Sequence, residues 1–148
     1  MPKHLTQQTK ITRTNNRAAG ATTDLDGAAW VDMAGFDGVR AVAILDDVTA
    51  TSALSLQVLQ ADTAAGAGSE VLAGSAEFVA GASDADNKVI VTDVLRPSKR
   101  FVRTRLKRGT ANAVVDAVLL EQYSARDEPT EQSASVLSVN LLTDPAAV

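Results

Sequence analysis

At 148 residues, with a formal net charge of −4 and 45% apolar residues, the chain suffices for one packed domain and is too apolar for wholesale disorder. Having no cysteine excludes disulfides, thiolate metal sites and cysteine nucleophiles, and no apolar run approaches the roughly 18 residues of a membrane span. Only 3% of residues are aromatic, so the core has to come from Val, Leu, Ile and Ala.

Residues 1–24 read as an extended N-terminal arm. They are rich in Thr, Gln and Asn, show no periodic apolar face, and lack the apolar stretch of a secretion signal. Lys3, Lys10, Arg13 and Arg17 precede the first carboxylate, Asp24. Such an arm orders only when something receives it, for example the open sheet edge of a neighbour.

Residues 25–124 carry the pattern of a β-sandwich domain. Ala28–Met33 suggests a first strand with Trp30 as a large core anchor, followed by turn chemistry at Gly35-Phe36-Asp37-Gly38. Val39–Leu45 alternates weakly; Leu54–Gln60 alternates clearly, with Leu54, Leu56 and Val58 inward and Ser55 and Gln57 outward. Val71-Leu72 and Glu77-Phe78-Val79 are short strand candidates, and Lys88–Leu95 is a β-branched strand after the loop Ser83–Asn87. Pro97 breaks the ladder before Arg100–Leu106, where Phe101, Arg103 and Arg105 share one face and Val102, Thr104 and Leu106 the other. Ala113–Tyr123 closes the core. Seven or eight short strands at this spacing predict an all-β, antiparallel sandwich or jelly roll. Residues 125–148 read as a C-terminal arm whose one apolar patch, Val136–Leu142, would suit a further strand on this domain or on a neighbour.

No residue set has catalytic spacing. His4 is the lone histidine and sits in the arm, so no ordered triad is available and zinc lacks its usual ligands. Asp84-Ala85-Asp86-Asn87 echoes a calcium loop without its glycine and distal glutamate, and reads as a solvated turn. Gly66-Ala67-Gly68-Ser69 lacks the Lys-Ser or Lys-Thr of a phosphate loop. No catalytic, cofactor or metal residue is therefore expected.

The basic stretch from Arg96 to Arg108 holds half of the chain's Lys and Arg. Nucleic acid would want stacking aromatics and a basic domain, whereas only Phe101 is near and the pI is about 4.9. A solvated strand face with cross-strand ion pairs is one alternative. Docking to an acidic protein surface is the reading adopted, because interfaces favour Arg over Lys. The interface expected from sequence is Lys10, Arg13, Arg17, Arg100, Arg103, Arg105 and Arg108.

The run Leu54–Tyr123 resembles the capsid decoration (cement) proteins of tailed bacteriophages. The features that carry it are SLQVLQ followed by ADTAAGAGS, the turn DADNKVIV, the corner RPSKRFVR and the closing strand AVVDAVLLEQY, about half the chain. The resemblance implies a β-sandwich or jelly roll on the virion surface, assembled in the host bacterial cytoplasm. It further implies an oligomer, here expected as a dimer before a trimer, that clamps the major capsid protein without enzymatic activity, nucleic acid or membrane. A head–tail connector, a tail component, or a carbohydrate- or receptor-binding module would share much of this composition.

Overall fold

The structure, a computed structural model, describes residues 2–72 and 76–143. Eleven strands form among the described residues. They are β1 (Lys10–Asn15), β2 (Ala18–Ala21), β3 (Leu25–Asp26), β4 (Val31–Asp32), β5 (Phe36–Val48), β6 (Ala53–Ala61), β7 (Glu70–Val71), β8 (Phe78–Val79), β9 (Val89–Leu95), β10 (Phe101–Gly109) and β11 (Ala113–Ala125). Two antiparallel sheets pack as a sandwich, as the alternation predicts. The first runs β1-β11-β5-β9, with β2 also on β11; the second runs β3-β10-β6-β7, with β4 on β10 and β8 on β6.

The register explains the faces. Leu106 opposes Leu56 and Thr104 opposes Val58, and these inward rows are fully buried. Arg105 opposes Gln57 and Arg103 opposes Leu59 on the outer face. From the other sheet Val39, Ala41, Ala43 and Leu45 of β5 meet them, with Val115, Val118 and Leu120 of β11. In β11 the inward positions are first odd-numbered and then even-numbered, because the register shifts between Val115 and Ala117. An extra residue in one strand of a pair changes the parity of everything beyond it. This small-side-chain core is tied by polar bridges. Thr92 Oγ1 donates to the Leu56 carbonyl (2.8 Å) across the sheets, and Thr14 Oγ1 donates to the Val118 carbonyl (3.1 Å) beside Thr104 Oγ1.

The arm expected at the N-terminus is received by its own chain. β1 and β2 pair along β11, with Ile11 opposite Glu121 and Arg13 opposite Leu119. Periodicity could not reveal this, because the inward residue of β1 is the hydrogen-bonded Thr14 and not an apolar side chain. Residues 130–133 then cover the free edge of β1. Gln132 Oε1 accepts from Ile11 N–H (2.9 Å), Ser133 Oγ donates to the Ile11 carbonyl (2.6 Å) and Thr130 Oγ1 to that of Thr9 (2.6 Å).

Two other expectations change. Trp30 is half-buried on the outer face of the second sheet, with the Arg103 guanidinium 5.8 Å from its ring centre. A Cβ at Gly66 (φ +87°) would stand 2.6 Å from the indole nitrogen, so the loop covers Trp30 only because glycine is there. Val136–Leu142 forms no strand and pairs with none, and Leu137 is fully exposed.

Candidate functional site

A groove of about 800 Å³ lies at one end of the sandwich, between the Met33–Asp37 turn and the corner from β9 to β10. The turn is set by Asp32, whose Oδ1 accepts from Ala34 N–H (2.9 Å), and by Phe36 N–H donating to the Met33 carbonyl (3.0 Å). The corner begins with Arg96 at φ 54°, a conformation that bulky side chains rarely adopt, immediately before Pro97. Its N–H donates to the Asp37 carbonyl (2.7 Å), which fixes the corner to the start of β5. Gln60, 2% exposed, holds the rest: its Oε1 accepts from Ser98 N–H (2.9 Å) and Lys99 N–H (3.2 Å), while Nε2 donates to Ser98 Oγ (2.8 Å) and Glu70 Oε1 (2.6 Å).

Four cations, Arg96, Lys99, Arg100 and Arg126, line the groove against one carboxylate, Asp37. Arg100 binds Asp32 in a two-pronged pair (2.9 and 2.8 Å), and Arg126 binds Asp37 (2.8 Å). Each carboxylate raises its partner arginine's pKa through that hydrogen bond, and Arg100 lowers Asp32's. Lys99 lies 3.6 Å from Asp62 and 3.7 Å from Glu70. The Arg96 guanidinium has no ion pair among the described residues. With Met33, Phe36 and Pro97 supplying apolar wall, the groove suits a carboxylate-bearing surface.

The interface residues expected from sequence fall into different roles. Arg100 lines the groove, and Lys10 lies against the reverse side of the same turn, with Ala34, Gly35 and Phe36; both lower the pKa of Asp32. Arg13 is exposed on the outer face of the first sheet, where β1 carries it opposite Leu119. Arg17 bridges Asp46 (3.0 Å) and Asp116 (3.2 Å). On β10, Arg105 binds Asp26 through two contacts (2.6 and 3.0 Å), which lowers the Asp26 pKa and raises its own. Arg103 donates to the Gly27 carbonyl (2.7 Å). Arg108 is 5% exposed and donates to the carbonyls of Thr23 (2.9 Å), Ala19 and Ala113 (both 3.0 Å), and burial lowers its pKa.

Sequence reading did not single out Arg126, Asp37 or Gln60. Arg126 follows Ser124, whose positive φ (53°) ends the alternation of β11, and Gln60 hides in a strand where parity alone places it inward. The turn expected at Asp84–Asn87 engages its side chains with backbone: Asp84 Oδ1 accepts from Gly81 N–H (2.7 Å) and Asp86 Oδ1 from Val48 N–H (2.9 Å).

No protein-family model matches the chain, and no curated protein sequence does. Among solved structures, PBSX exported protein XepA matches over 96% of this chain and 46% of its own, at 18% identity and a TM-score of 0.53. The CBM22-1–GH10 modules of Clostridium thermocellum xylanase 10B, complexed with xylohexaose, match over 90% of this chain and 26% of theirs, at 14% identity and a TM-score of 0.45. The chain thus spans less than half the length of either structure, and what it shares with XepA is the fold.

Proposed function

We propose that this chain is a structural virion protein, a decoration or cement protein that binds the outside of a phage head as a homo-oligomer. There it stabilises contacts between major capsid subunits, without catalysis or cofactor. The fold it shares with a PBSX phage-related exported protein is consistent with this reading. The observation that carries it is the end groove, with four cations against one lining carboxylate and the Arg96 guanidinium free to take an acidic group. Many such modest contacts repeated over a lattice act together through avidity.

Arg100 and Lys10 belong to this docking surface, with Arg96 and Arg126 added, while Arg105 and Arg108 chiefly hold their own chain together. A carbohydrate-binding module is less well supported, because both platforms are engaged: Trp30 under Gly66 and Arg103, Tyr123 against Gly38 and Asp93. A head–tail connector or tail component would use the same groove at a single vertex.

The test is to mix the protein with expanded empty capsids of its phage and count bound copies by sedimentation and electron microscopy. Saturable binding at symmetry-related sites is expected, reduced at least about tenfold by Arg96→Glu with Arg126→Glu, in line with losing charge-assisted contacts. Binding at one vertex only would favour the connector, and no binding would sink the proposal.

A further inference from the structure

A sandwich has four lateral sheet edges, and among the described residues this one leaves one long edge strand open. In the second sheet the edge strands β3, β4, β7 and β8 are two residues long, short enough to offer little template. In the first sheet the β1 edge is covered by residues 130–133. The remaining edge is β9, seven residues without proline. Its register with β5 leaves one set of backbone groups free. Leu45 N–H donates to the Lys88 carbonyl and Arg96 N–H to that of Asp37, so even-numbered residues face β5. The N–H and C=O groups of Val89, Val91, Asp93 and Leu95 therefore point away from the sheet, as alternation in an antiparallel pair requires. Val89, Val91 and Leu95 are 57%, 50% and 65% exposed. Beside β9 opens a cleft of about 450 Å³ whose apolar wall is Leu45, Leu54, Phe78, Ala85 and Ile90, with Asp84 and Lys88 also lining it.

The same chain also has one strand-like segment without a sheet. Leu137-Ser138-Val139-Asn140-Leu141 alternates apolar and polar, carries no charge or proline, and is exposed at Leu137 (101%) and Leu142 (83%). Its hydrogen bonds are local, from Val136 N–H to the Ser133 carbonyl and from Asn140 to Ser138. It cannot serve its own β9. Ser133 is anchored on β1, and β11 and β5 intervene, so a strand beyond β9 lies four strand spacings away, about 19 Å. From Ser133 to Val136 the chain reaches about 11 Å at most.

We propose that Val136–Leu142 of one copy adds as a strand to the β9 edge of a second copy. Leu137, Val139 and Leu141 then enter the cleft beside Phe78, and Ser138 and Asn140 stay toward solvent. Main-chain bonds to Val89, Val91, Asp93 and Leu95 supply affinity, and the cleft supplies selectivity. Reciprocal exchange closes a dimer, whereas one-way exchange gives a ring or a chain. The proposal deepens the self-association within the proposed function, and its test uses no capsid, so each can fail alone.

Two full-length variants decide it by light scattering after gel filtration. Val91→Pro removes an N–H that the fold does not use and blocks the edge, a placement proline tolerates. Leu137→Asp with Leu141→Asp disables the tail at exposed positions. The wild type is expected to associate, and each variant alone to run as a monomer. Mixed, they should form a one-to-one pair, one keeping its tail and the other its edge. A peptide of residues 134–143 added to the tail variant should protect the amides of Val89, Val91, Asp93 and Leu95 from exchange. The peptide arm keeps the test alive if Val91→Pro melts early. A monomeric wild type, a tail variant that still associates, or amides that the peptide leaves unprotected would overturn the proposal.

Discussion

Arg108 and Arg96 belong to one basic stretch and have opposite fates. Arg108 points inward from β10, is 5% exposed, and donates to three carbonyls that belong to β2, to the residues after it and to β11. Arg96 sits in a strained corner with its backbone tied to Asp37 and its guanidinium in a solvent-open groove. The difference teaches that a run of cations is not one functional unit. Strand parity and corner geometry divide it into arginines that hold the fold and arginines offered to a partner.

Replacing each class sharpens the contrast. Arg108→Ala leaves three carbonyls without their donor and is expected to cost about 3 kcal/mol in urea unfolding, at the upper end for a charged hydrogen-bonding group. An unchanged midpoint would mean that water replaces the guanidinium. Asp26→Asn keeps the shape of the Arg105 pair while removing its charge, and is expected to cost about 1 kcal/mol.

The same pair gives a pH test. Asp26 and Asp32 have pKa values lowered by their arginines, so their contribution is present above the ordinary value of 3.8 and is lost as pH falls through the lowered one. Melting temperature should therefore drop below about pH 4, and Asp26→Asn should shrink that drop.

Tyr123 supplies the alkaline counterpart. It lies over Gly38, where a Cβ would stand 2.2 Å from the ring, and its hydroxyl donates to Asp93. Burial first, and then this hydrogen bond, push its pKa up to about 12. A raised pKa stabilises the fold fully below the ordinary value of 10.0, with the gain lost as pH rises to about 12. As the chain has one tyrosine, phenolate absorbance should report that titration directly; a midpoint near 10.0 would remove the bond. Smallest of all is Arg96→Ala, expected to change stability by less than about 0.5 kcal/mol, as for open surface positions, while weakening capsid attachment. A large loss of stability would return Arg96 to the structural class.

The sequence by itself determined the sandwich, because period-two alternation in Leu54–Gln60 and Phe101–Leu106 reports directly which side chains leave water. It determined the aliphatic core for the same reason. Tertiary structure decided what alternation does not encode. Thr14 and Gln60 are buried through hydrogen bonds and so carry no apolar signal, which hid both the self-pairing of the N-terminal residues and the anchor of the groove. Partner choice was equally silent: Asp32, Asp37 and Asp26 meet their arginines from segments distant in sequence. Hydrophobic periodicity is a local property of the chain. Charge pairing and edge coverage depend on which strands become neighbours, and only the folded topology fixes that.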